Sequence, residues 1–220
     1  KPNKMKFDNS KSAPWRRTSR WRNGLMLGAL LALGTNISAQ VNTYTFSQPV
    51  GTFTPITGGT VLGSTTSDDQ RFVTPVTPLG GTTTTGIGFP IGFDLFFNGQ
   101  VYDRVAVNTN GWLSFGNSAL TPSVNNASTS SYTPLASTSA TTPTHLRSRI
   151  AAMARDLQGQ AGSEMRIQTI GTTPNQVCVV QWLGMRRYGA AGESFNFQAR
   201  LNEVDNTVEV VFGSMTWSAT

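Results

Sequence analysis

The sequence predicts an all-β fold, an antiparallel β-sandwich carrying an exposed Ser/Thr-rich loop. Three observations lead there. Beyond residue 40 the chain is rich in Thr, Ser, Gly and Asn. Its β-branched and aromatic residues fall in short runs bounded by turn residues. Asn98-Gly99, set between two apolar runs, is a strong hairpin signal, because both central residues of a tight hairpin turn need positive φ.

The elements follow in chain order. Residues 1–39 read as a cleavable export signal, since eight of the 17 Lys and Arg residues lie before residue 40 and the apolar run Gly24–Gly34 follows Arg22. Eleven apolar residues are too few for a permanent helical span, which needs roughly 20. Cleavage after Ala39 leaves Gln40 first and 181 residues, enough for one core. Residues 40–86 are expected to form N-terminal edge strands and loops. Tyr44-Thr45-Phe46 is the first strand, at an edge where Pro49 costs no ladder bond, and Arg71-Phe72-Val73 is another.

Residues 87–220 are expected to form the sandwich core. Ile91, Phe93, Leu95 and Phe97 alternate, Asn98-Gly99 turns the chain, and Val101–Val107 returns. Asn108-Thr109-Asn110-Gly111 makes a second turn, with Asn110 and Gly111 as its positive-φ pair. In the strand Trp112–Gly116, Trp112 and Phe115 fall on opposite faces. Asn117–Thr144 spans 28 residues and reads as a lid or variable loop. Arg149–Leu157 suits a helix by propensity and a short strand by its neighbours. Glu164–Ile170, Val177–Leu183, Ser194–Leu201 and Thr207–Phe212 form a four-strand meander. The chain stops just past Trp217 without a turn, so the module is expected to be truncated at its C-terminus and part of a longer protein.

Charge and chemistry narrow the function. Beyond residue 40 there are nine basic residues against ten acidic, and no Lys. A nucleic-acid partner is therefore not expected, for want of a concentrated cationic surface. One Cys and one His provide neither a disulfide framework nor a Cys/His zinc site. His145, in a loop-like context, is the one imidazole a Ser-His-Asp triad would have. Carboxylate pairs for glycoside hydrolysis would come from Asp68, Asp69, Asp94, Asp103, Asp156 and Glu164. Asp68-Asp69 reads as a turn or a Ca²⁺ contact. Arg186-Arg187-Tyr188 sets guanidinium beside an aromatic ring, as an acidic or sugar ligand would need, or as an edge strand guarded by charge. Trp112, Trp182 and Trp217 are candidates for a stacking platform or for core. Asn126-Ala127-Ser128 is a glycosylation sequon expected in an exposed loop.

Val107-Asn108-Thr109-Asn110-Gly111-Trp112-Leu113-Ser114-Phe115-Gly116 resembles the opening signature of nidogen-like extracellular domains. Ile150–Asp156, and Phe195–Leu201 with Val208–Gly213, resemble that family's later phrases in the same order, with Ala152 and Ala154 where the family carries Pro and an aromatic. Tyr44-Thr45-Phe46, Gly51–Pro55 and Gln181-Trp182 resemble the secreted surface modules of Bacteroidota, many of which travel by type IX secretion. The resemblance implies a noncatalytic secreted or cell-surface module for adhesion or ligand binding. Its partner would be an extracellular protein or glycan. The alternatives are an accessory or catalytic domain of a secreted polysaccharide hydrolase, and a repeat unit of a fibrous surface protein.

Overall fold

The computed structural model describes residues 44–64, 66–75, 80–127, 134 and 148–218. Contacts divide the chain between Ser38 and Ala39, and all the described residues belong to the second unit, Ala39–Thr220. Among the described residues there are thirteen strands and no α-helix: β1 (Thr60–Gly63), β2 (Arg71–Phe72), β3 (Thr85–Gly86), β4 (Phe89–Phe97), β5 (Gln100–Asn108), β6 (Trp112–Gly116), β7 (Val124–Asn125), β8 (Arg149–Ala151), β9 (Leu157–Gln158), β10 (Glu164–Ile170), β11 (Val177–Arg187), β12 (Ser194–Asn202) and β13 (Val208–Thr216). A six-stranded sheet runs β1-β10-β11-β12-β13, with β9 added to β11. A five-stranded sheet runs β2-β5-β6-β8, with β4 also on β5, and β3 pairs with β7. Every pairing between these strands is antiparallel.

One apolar cluster takes its members from both large sheets, so the sheets pack face to face. Leu95, Val107, Leu113 and Phe115 come from one, and Met165, Val180, Trp182 and Phe197 from the other. The alternation read in β4 holds: Phe89, Ile91 and Leu95 are buried and Phe93 and Phe97 pack against the same cluster, while Pro90, Asp94 and Phe96 face out. Trp182 stacks on Phe197 at 4.9 Å between centroids and donates its indole N–H to the Asn108 carbonyl at 3.0 Å. That bond leaves the largest buried side chain of the meander with no unpaired polar atom. Asn98 and Gly99 take φ of 50° and 75° between Phe97 and its partner Gln100, the geometry a two-residue hairpin requires.

The second face of the five-stranded sheet is also covered. Val73, Ala106 and Val124 form a small apolar cluster there. Trp112 lies opposite the main core, fully buried, with the Arg149 guanidinium 4.8 Å above its ring. Arg149 donates to the carbonyls of Pro134 and Ala127, and burial pulls its pKa down to about 10.

The sequence reading fails at the N-terminus. Tyr44-Thr45-Phe46 is not a strand. Tyr44 packs on Phe97 and its hydroxyl accepts from the Asn98 N–H at 2.6 Å. The chain then crosses the outer face of the larger sheet as a strap. Gln181 accepts from Ile56 N–H at 2.9 Å and donates to its carbonyl at 3.3 Å, Gln198 donates to Thr54, Arg200 to Thr52 and Arg166 to Gly58. Gln181 and Gln198, opposite one another in register, are both fully buried. Their amides supply the partners that a strand ladder would otherwise give the strap backbone. In a strand sequence such Gln residues look solvent-facing, so nothing in the sequence announces the strap.

Residues 1–39 and His145 lie outside the described residues, as does most of Asn117–Thr144. Arg149–Leu157 resolves as β8, a bend and β9, with no helix.

Candidate functional site

The signature phrase is a buried hub. Asn108, Thr109 and Asn110 have no exposed surface. Asn108 pairs with Trp112, so the loop between them is three residues. Of its two expected positive-φ positions only Gly111 takes one, at 77°, the arrangement of a type I turn closed by a left-handed glycine. Asn110 does not need the strained region, because its N–H is held by the Asn108 side-chain oxygen at 2.9 Å, a local Asx bond.

Two distant segments are fastened to this loop. Thr109 exchanges backbone and hydroxyl hydrogen bonds with Gln70. Met153 N–H donates to Gly111 and Arg155 N–H to Asn110. The Asn110 side chain spans the gap: its amide donates to Asp69 at 2.7 Å and its oxygen accepts from Leu157 N–H at 2.6 Å. Behind it, Asn108 donates to Asn126, which donates to Ser114. Asn126, the sequon asparagine, is therefore fully buried and committed, and the expectation of an exposed acceptor there fails.

What the hub positions is a three-ribbon surface. Asp68 bridges to Gln158, Gln158 pairs with Arg186, and Tyr188 N–H donates to the Asp156 carbonyl. Residues opposite one another across a ladder share a face, as do residues two apart along a strand. Asp68, Asp156, Gln158, Arg186 and Tyr188 therefore stand on one face, while Leu157 and Arg187 turn to the other. Tyr188 is 63% exposed. The Nε of Arg186 is buried without a hydrogen-bond partner, and its guanidinium makes no ion pair among the described residues. Gln158 accepts from Gly189 N–H through its side-chain oxygen, so its amide N–H groups remain to donate.

Asp68, Asp69 and Asp156 bring carboxylate oxygens within 4.8 Å of one another. Partial burial, and then the neighbouring carboxylates, push the pKa of Asp68 up, and burial followed by Asp69 does the same to Asp156. With one oxygen from each, the three carboxylates supply three of the roughly six to eight oxygens that calcium takes. A cation held here would complete its shell with water or ligand.

The other sequence candidates are placed elsewhere. Arg187 is tied to Glu193, which is 1% exposed, accepts from Ser218 as well and is held down at about 2 by the Arg187 hydrogen bonds. Arg187 also lies 5.4 Å from the Trp217 ring. Trp112 and Trp182 are wholly buried and provide no stacking platform. Asp103 bonds Ser118 and Glu164 bonds Arg166. Cys178 is buried and its thiol is pushed up to about 12 by desolvation, so it is inert at neutral pH. Sequence reasoning missed that the Asp68-Asp69 and Arg186-Tyr188 candidates meet. The ribbon that joins them, β9, is two residues long and carries no strand signal of its own.

A family model described as NIDO related matches residues 43–220. The chain belongs to the NIDO-related family. The match begins well before residue 87 and takes in the strap, β1 and β2. Membership points to an extracellular module of a family that is generally noncatalytic. Ala152 stands in the core at 8% exposure and Ala154 takes φ 47°. They thus form the bend that delivers Asp156 to the surface. No curated protein and no solved structure matches the chain. No helix among the described residues is long and apolar enough to cross a membrane.

Proposed function

We propose that this NIDO-related domain is a noncatalytic module, exported by removal of residues 1–39 and carried by a larger secreted or cell-surface protein, that binds an extracellular ligand. One observation carries the reading: a surface of mixed donors, acceptors and an exposed ring is held in place by a buried hub. Acid–base catalysis by two carboxylates needs unlike environments, one raising a pKa and the other leaving it low. Asp68 and Asp69 are instead both exposed, with Asp156 half-buried beside them, so no enclosed cleft sets their environments apart. That favours recognition over hydrolysis.

The hydrolase alternative has one observation in its favour, the approach of those carboxylates to within 4.8 Å. The purified protein incubated with a panel of insoluble polysaccharides separates the two. The module reading expects co-sedimentation without release of reducing ends. Turnover that disappears in Asp156→Asn would overturn it.

A further inference from the structure

The ligand class can be read from the same face, and the inference rests on the binding-module reading. We infer that Tyr188, Arg186, Gln158, Asp156 and Asp68 form a subsite for a neutral glycan, with the Tyr188 ring stacking on a sugar face and the polar side chains taking its hydroxyls.

The chemistry of the face selects among ligands. Arg186 and Gln158 present N–H donors, and Asp68 and Asp156 present acceptors, on neighbouring ribbons about 5 Å apart. A sugar hydroxyl both donates and accepts, so a row of hydroxyls satisfies both kinds of group at once. An anionic ligand would face Asp68, Asp69 and Asp156 together. A cationic one would pair with the carboxylates but leave the donors of Arg186, whose Nε is already buried without a partner, unmatched. A purely apolar ligand would find Tyr188 and leave every other group on the face desolvated and unpaired, at a cost for each. Aromatic rings with a wet rim suit ligands that are apolar on one face and hydroxylated at the edge.

The scaffold supports this use. Backbone pairing fixes Asp68, Gln158 and Arg186 in a row, and Asn110 ties the first two ribbons to the core. Little backbone ordering is then left for the ligand to impose. Arg187, on the opposite face, is tied to Glu193 through Nε and Nη2 and takes no part.

The test is calorimetric titration of the protein, in EDTA, with neutral hexasaccharides of β-linked glucose, xylose and mannose. At least one is expected to bind saturably. Tyr188→Ala and Arg186→Ala should each weaken it at least about tenfold through loss of stacking or of charge-assisted hydrogen bonds, with melting temperatures unchanged. Tyr188→Phe should retain binding, and so should Phe46→Ala, which removes an exposed ring outside the face. Failure of all three sugars to bind would overturn the inference, as would binding that survives Tyr188→Ala or that is lost in EDTA and restored by Ca²⁺. New reducing ends in the same mixtures would instead sink the noncatalytic reading and leave the sugar assignment standing.

Discussion

Replacing Gly111 by Val probes the hub with a magnitude that the structure sets. Gly111 takes φ of 77°, where a β-branched residue is strained by about 1–3 kcal/mol. A Cβ there would lie 3.0 Å from Met153 Cβ and 3.2 Å from Phe197 Cζ, and forcing extra methyl groups into such packing costs about 1–3 kcal/mol more. The total, about 4 kcal/mol at mid-range, corresponds to a fall of roughly 8–16 °C in Tm for a domain of this size. Two controls divide it. Gly162 has φ of 86° and nothing within 4 Å of an added Cβ, so Gly162→Val isolates the backbone term at about 1–3 kcal/mol. Gly81 has open space and no left-handed φ, so Gly81→Val should stay within about 0.5 kcal/mol of the parent. Differential scanning calorimetry of the three variants is the assay. A Gly111→Val melt equal to that of Gly81→Val would refute the claim that this loop is a packed structural turn.

Asn110→Ala strands the Leu157 N–H and takes one donor from Asp69, and should cost about 1–3 kcal/mol, read as a lower urea midpoint. Asp68 and Asp156 have pKa values raised above the usual 3.8, so their ionised forms oppose folding. These two groups should therefore let stability rise as pH falls from neutral through the raised values. Asp68→Asn should gain about 0.5 kcal/mol at pH 7, the scale of an exposed charge pair, and the gain should shrink towards pH 4 in urea titrations at both pH values. Glu193 has the opposite sign. Its stabilisation is present above its unfolded value of about 4.5 and is lost as pH falls through about 2, so Glu193→Gln should flatten the acid limb of the stability profile. Arg149→Ala leaves two carbonyls and the Trp112 face uncovered, and should destabilise by about 2–4 kcal/mol in the same denaturation assay.

The meander was legible because each of its strands is long and bounded by polar turns. β10 falls on Glu164–Ile170 as its alternation indicates, and β11 and β13 run only a few residues further than expected. The β4–β5 hairpin was legible because Asn98-Gly99 leaves the backbone little choice. The strap was not, since its hydrogen-bond partners are Gln and Arg side chains more than 100 residues away in sequence. The face was legible only in halves. Asp68-Asp69 and Arg186-Tyr188 stood out by residue type, but their meeting depends on a two-residue strand whose position is set by Asn110. The phrase that marked the family is thus also the part that assembles the face, through side chains that a sequence shows only as turn formers.

Amide hydrogen exchange tests the hub most directly. The N–H groups of Leu157, Met153 and Thr109 donate to Asn110, Gly111 and Gln70. If the loop welds both segments to the core, these three should exchange only through global unfolding, with the same opening free energy as Trp182 and Phe197 in the meander. Exchange of Leu157 and Met153 by local opening, well ahead of Trp182, would contradict the account. It would mean that the Asp156–Gln158 ribbon moves independently of the signature loop.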